Sequence, residues 1–198
     1  IYVIRESFMD TQQHDHLFIM TGPPGAGKST ILSILKELDF KVIDEPARKI
    51  ISEQRAINGK GLYDQDKGLF VDLMLSRTIY QYEQMMQVSS PVIFDRGIPD
   101  NIGYASLFGV DTEIAKNTAN TFRYNKKVFF TPSWKEIYQT DQERKISFDE
   151  ADAFGEIIKA NYLNLGYDVL DVPKDTPNNR AKFVLNHIFD FVLENKPQ

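Results

Sequence analysis

Residues 22–29 read Gly-Pro-Pro-Gly-Ala-Gly-Lys-Ser, and Thr30 follows. The spacing is G-x-x-x-x-G-K-[ST], with an apolar run, Leu17 to Met20, before it and a helical pattern through Ile31, Leu32, Ile34 and Leu35 after it. That is the strand-then-helix setting in which this motif binds phosphate. Gly22, Gly25 and Gly27 let the backbone come close to a polyphosphate where side chains would block it. The loop of Gly22, Pro23, Pro24, Gly25, Ala26 and Gly27 then turns its amides, and the N-terminus of the helix, toward the anion. Lys28 adds a point charge for the β and γ oxygens, and the Ser29 hydroxyl is placed to ligate Mg²⁺. The stretch Gly22–Thr30 therefore predicts a site for a nucleoside triphosphate, with ATP and Mg²⁺ as the expected cofactors.

Two further acidic positions follow apolar runs. Pro91-Val-Ile-Phe94 leads into Asp95-Arg96-Gly97, and an Asp there is the natural outer-shell partner of the metal. In ATPase motors a water-activating Glu usually comes next. Here the next residue is Arg96, whose planar fork suits a phosphoryl group or an acceptor instead. Phe40 to Ile43 leads into Asp44-Glu45-Pro46. Glu45, at the end of a strand expected beside the P-loop strand, can face the γ-phosphate and orient or deprotonate a hydroxyl nucleophile. Arg48 lies one helical turn on and shares that face as a substrate-binding candidate. The segment Asp141-Gln-Glu-Arg144-Lys145 reads as a lid that carries Arg144, and less strongly Lys145, over the triphosphate. Asn125-Lys126-Lys127-Val128 lacks the Asp of a guanine-reading motif and precedes its strand, so guanine specificity is not supported. Arg77 reads first as a structural ion-pair partner. Trp134 and Tyr138 read first as packed loop residues with a secondary capacity to stack on a base, and the loop 173–178 is placed to brush the adenine.

These groups need a scaffold, and the periodicity supplies one. Short strands at 17–21, 40–43, 91–94, 127–130 and 167–172 alternate with helices near 28–38, 46–57, 65–88, 99–108, 111–122, 148–165 and 177 onward. Leu69, Leu73, Arg77 and Tyr80 are expected on one stripe of the long helix, widened by Phe70, Met74 and Ile79. Ser147-Phe-Asp-Glu150 is a capping box, and Phe183, Leu185, Ile188, Phe189 and Val192 are expected as the apolar face of the last helix. Alternation of this kind predicts a three-layer α/β fold around a five-stranded parallel sheet, with ligands at the carboxyl ends of the strands. One domain is expected over the 198 residues: a core of 16–194, a lid near 133–147 and an N-terminal extension of 1–15 in which Ile1–Ile4 is a possible strand. Zero cysteines exclude disulfides and thiolate metal sites, three histidines do not make a metal centre, and a formal charge of −5 argues against a nucleic-acid partner. No apolar run approaches the ~20 residues of a membrane span, and no signal pattern precedes the first strand, so a cytoplasmic location is expected.

Taken together, GPPGAGKST, IDEPAR at 43–48, FDRG at 94–97 and the TDQER stretch resemble the small AAA-domain predicted ATPases of the P-loop kinase group, close to the ribosylnicotinamide kinase domain of a bacterial NAD regulator. The resemblance covers about residues 16–190. Glu45-Pro46 and Asp95-Arg96 are also similar to the Glu-Pro and Asp-Arg pairs of deoxynucleoside kinases. That resemblance implies a base role for Glu45, substrate and phosphate contacts for Arg96, and a lid role for Arg144. The chain departs in carrying Gly97 where those kinases often have Ser, and one lid Arg where many have several. The expectation is a kinase acting on a small, nucleoside-like acceptor, with a nucleotide-hydrolysing switch as the alternative.

Overall fold

Strand β1 (Leu17–Thr21) is buried at all five positions. A strand hydrophobic on both faces belongs in the middle of a parallel sheet covered by helices on either side. The computed structural model, which describes residues 13–139 and 146–194, has that architecture. The sheet order is β2-β3-β1-β4-β5, where β2 is Lys41–Ile43, β3 Val92–Asp95, β4 Lys127–Phe130 and β5 Asp168–Asp171. Every pairing is parallel, with Met20 opposite Asp95 and Thr21 opposite Phe130.

Alternation along the strands sorts the core into two layers. Phe18, Met20, Ile93 and Phe129 pack under α1 (Lys28–Glu37) and α7 (Pro177–Glu194). Leu17, Ile19, Val92, Phe94, Val128 and Phe130 face the opposite layer. That layer is built from α3 (Lys67–Met85), α4 (Asp100–Phe108), α5 (Glu113–Thr121) and α6 (Phe148–Asn164). The remaining helix, α2 (Ala47–Ala56), is held by a small cluster of Ile50, Phe70 and Met74. A 3-10 turn, Lys135–Ile137, follows β4.

Three expectations change. The strand that ends in Glu45 lies beside β3, not beside β1, because β3 takes the place next to the P-loop strand. Glu45 and Asp95-Arg96 therefore end adjacent strands. On α3, Leu69 and Tyr80 are exposed, and the buried stripe is Phe70, Val71, Met74, Leu75, Thr78 and Tyr82. The helix meets two partners, α2 and the sheet layer, so its inner face is wider and rotated from the single stripe. On α7, Phe189 is exposed and burial centres on Ala181, Val184 and Ile188. The strand expected at Ile1–Ile4 lies outside the described residues.

Helix α6 begins at the expected capping box. Ser147 Oγ accepts from the Glu150 N–H at 3.2 Å, and the Ser147 N–H donates to Glu150 Oε2 at 2.7 Å. Ser147→Ala should cost about 1 kcal/mol, read as a lower denaturation midpoint with an unchanged slope. An unmoved midpoint would show that the cap does not contribute.

Candidate active site

The P-loop leaves β1 through Gly22, whose φ is 135°, and a Cβ there would stand 2.4 Å from the Thr131 carbonyl oxygen. No L side chain fits that contact. Gly27 caps α1 in the left-handed region, φ 81°, with no side-chain cap and no acidic residue in the first turn. The first N–H groups of α1 and its dipole therefore face the cleft without a protein anion, as an anion-binding helix start requires. Lys28 is 8% exposed and donates to the carbonyls of Gly22 at 3.0 Å and Pro23 at 2.8 Å.

The loop opens on a cleft of about 960 Å³. Pro24, Gly25, Gly27, Lys28, Ser29 and Thr30 line it beside Glu45, Arg48, Asp95, Arg96 and Tyr104. On the β4–β5 side, Trp134, Ile137, Asp175, Thr176, Pro177 and Arg180 close it. The structure thus brings Lys28, Ser29, Glu45, Arg48, Asp95 and Arg96 to one cavity. Gly22, Pro23 and Ala26 are buried beneath it as the body of the loop. Arg144 and Lys145 lie outside the described residues. Arg77 pairs with Glu53 at 2.9 Å, away from the cleft lining.

Charge is concentrated on the cleft floor. Arg96, 7% exposed, stands 3.1 Å from Glu45 Oε1 and 3.0 Å from Asp100 Oδ1. Its backbone is left-handed, φ 68°, while its N–H still completes the ladder to the Met20 carbonyl at 2.9 Å. A non-glycine residue in that region costs on the order of 1–2 kcal/mol and persists only where neighbours hold it. Burial is the first cause that pushes Lys28 down to about 7, with the Arg96 cation adding to it. Burial also pushes Asp95 up to about 6, reinforced by the Glu45 and Asp100 carboxylates and opposed by Lys28 and Arg96. Burial holds the Tyr104 phenol well above its ordinary value. Its proton stays on and it donates to Glu45 Oε1 at 2.6 Å.

Asp95 Oδ1 is buried with no hydrogen-bond partner among the described residues. An orphaned carboxylate oxygen on a cleft that Ser29 also lines fits an ion that keeps most of its waters, as Mg²⁺ does. No cluster of three or more His, Cys, Asp or Glu that could hold a metal occurs among the described residues.

Sequence reasoning did not single out Asp100, Tyr104 or Arg180. The first two follow Asp95-Arg96 at helical spacing, but an Asp that starts a helix reads as a dipole partner and a Tyr as core. Arg180 sits in the first turn of α7 and reads as a surface cation. Instead it is 3% exposed, donates to the Ala26 carbonyl at 2.9 Å and stands 5.6 Å over the Trp134 ring.

A family model described as "AAA domain" matches residues 17–180. The chain belongs to this AAA-domain family. No curated protein sequence matches it. Among solved structures it is similar to deoxyadenosine kinase from M. mycoides, solved with dCMP and a flexible dCDP, at 18% identity and a TM-score of 0.61, over 88% of this chain and 98% of that one. NadR in complex with NR matches at 16% identity and a TM-score of 0.67, over 93% of this chain and 54% of that one, so the chain spans about half of NadR. Shikimate kinase from Aquifex aeolicus matches at 19% identity and a TM-score of 0.52, over 89% and 98% of the two chains. At these identities the likeness is one of fold: a P-loop kinase fold with a five-stranded parallel sheet.

The charge balance has a measurable sign. Asp95 is raised in the folded chain, so its contribution to stability is present below about pH 3.8 and is lost as pH rises through about 6. Asp95→Asn should therefore stabilise the ligand-free protein at pH 8, by on the order of 1–3 kcal/mol, and change it little at pH 4. Equal effects at both pH values, by chemical denaturation, would overturn this account of the floor.

Proposed function

We propose that the chain transfers the γ-phosphoryl group of Mg-ATP to a hydroxyl of a small, nucleoside-like acceptor. The observation that carries this reading is the convergence of Glu45 and Arg96, at the ends of adjacent strands, on the cleft that holds Lys28. In ATPase motors a water-activating carboxylate usually follows the metal-side Asp. Here Asp95 is followed by a buried arginine, and the second carboxylate of the cleft, Glu45, sits one strand further out. That spacing leaves room for an acceptor larger than water.

In the proposed reaction the acceptor oxygen attacks the γ-phosphorus and its proton passes to Glu45. The bond from the γ-phosphorus to the bridging oxygen breaks, and ADP departs. Lys28 exchanges the Gly22 and Pro23 carbonyls for phosphate oxygens, and Arg96 opposes charge on the transferring group. Ser29 and Asp95 would hold Mg²⁺, which would supply further neutralisation of the phosphates. Arg48 contacts the acceptor, while Trp134, with Arg180 over its ring, stacks on the base of the donor. The fold relatives lend support, since deoxyadenosine kinase was solved with nucleotides and NadR with NR.

ATP consumption with Mg²⁺ should rise by orders of magnitude with one member of a panel of nucleosides, nucleotides, ribosylnicotinamide, shikimate-like acids and sugars. Glu45→Gln should remove at least about 100-fold of that rise. A slow basal rate that no acceptor moves, that survives Glu45→Gln and that vanishes in Lys28→Ala would replace this reading with a nucleotide-hydrolysing switch. The single tryptophan offers a separate check. Its fluorescence should change on ATP titration, and Arg180→Ala should weaken the apparent affinity about tenfold; an unresponsive Trp134 would remove it from the base site.

A further inference from the structure

We infer that the first two turns of α4 are the positioning element of the transfer site, with Asp100 holding Arg96 and Tyr104 holding Glu45. The inference rests on the phosphotransferase reading above and adds two residues that do not themselves touch the reacting atoms. Asp100 and Tyr104 are one helical turn apart, so both side chains leave α4 on the same face. That face looks at the ends of β2 and β3.

Asp100 is 1% exposed and accepts four hydrogen bonds. Oδ1 takes Thr21 Oγ1 at 2.5 Å and Arg96 Nη1 at 3.0 Å, while Oδ2 takes the Gly97 N–H at 2.9 Å and the Tyr162 hydroxyl at 2.5 Å. A carboxylate offers about four acceptor directions, and all are used. Asp100 is thereby saturated, unable to ligate a metal or take a proton from an acceptor without breaking a bond. What remains is its grip on Arg96 and on the amide of the next residue, Gly97. Those two bonds span the left-handed turn at Arg96 and fix the guanidinium that this backbone conformation turns toward Glu45.

Tyr104 completes the arrangement. Its hydroxyl donates to Glu45 Oε1, and its ring lies 5.6 Å from the Arg96 guanidinium carbon. The ring is packed against Phe154 and Phe108, at 5.3 Å and 6.4 Å between centroids. A phenol braced in this way has little freedom to follow Glu45, so Glu45 follows it. Held by Tyr104 and Arg96 together, the carboxylate has its rotamer chosen before an acceptor arrives, which is how positioned groups lower a barrier.

The test is a double-mutant cycle on acceptor-dependent ATP turnover in the full chain, using whichever panel member drives turnover. Tyr104→Phe keeps the packed ring and removes only the hydroxyl, so it should fold, with a melting temperature lowered by no more than a few degrees. Its kcat should fall at least tenfold while KM for ATP moves less than threefold. In a Glu45→Gln background the same substitution should cost less than twofold, because a residue that acts through Glu45 has nothing left to position. Asp100→Asn should lower kcat in the same manner, with Arg96→Lys masking its effect. Additive losses in the cycle, or a Tyr104→Phe kcat within twofold of the parent, would overturn the inference while leaving the phosphotransferase reading standing. A Glu45→Gln variant that is itself fully active would overturn both.

Discussion

Five charged side chains meet on the cleft floor beneath the P-loop, Lys28, Arg96 and Asp100 buried and Glu45 and Asp95 half-buried. Removing charge from water is costly unless each ion finds partners, and most of the local structure answers that constraint. Asp100 is satisfied by four donors drawn from β1, the β3 turn and α6. Arg96 is ion-paired with two carboxylates, although its Nε makes no hydrogen bond, and Lys28 is held by the carbonyls of its own loop. Asp95 keeps one buried oxygen unpaired among the described residues. It is the carboxylate of the set with an acceptor left over for a cation.

The sheet order makes this convergence possible. With β3 between β2 and β1, the three carboxyl ends that carry Glu45, Asp95-Arg96 and the P-loop stand side by side. Thr21, the last residue of β1, then reaches Asp100 directly, and Thr131 reaches the Thr21 carbonyl from β4. Loop posture is in this way tied to strands on both flanks. The glycine at 22 is part of that tie, since the neighbouring strand end leaves no volume for a side chain.

Much of this was legible in the chain itself. The P-loop, the five strands, the capping box at Ser147 and the acidic strand ends follow from local spacing, and local spacing is what sequence encodes most directly. The misses are all matters of tertiary context. Strand order is invisible to a pattern read along one strand, so the place of β2 was misjudged. The buried face of α3 is set by α2 as much as by the sheet, so a single stripe placed Leu69 and Tyr80 inside. Arg180 became a site residue only because α7 packs beside α1 and brings residue 180 to residue 26, a contact across 154 positions that no window contains.

That long contact has an evolutionary corollary. One guanidinium donates to the P-loop backbone and stands over the Trp134 ring, and a Cβ at Gly27 would meet its Nη1 at 2.6 Å. The P-loop and Trp134 are therefore joined through one side chain. A change at Trp134 removes one partner of the guanidinium that braces the loop, and a side chain at Gly27 displaces that guanidinium from both. Viable change at either place must pass through compensating change at Arg180, so these three positions are expected to vary as a linked set.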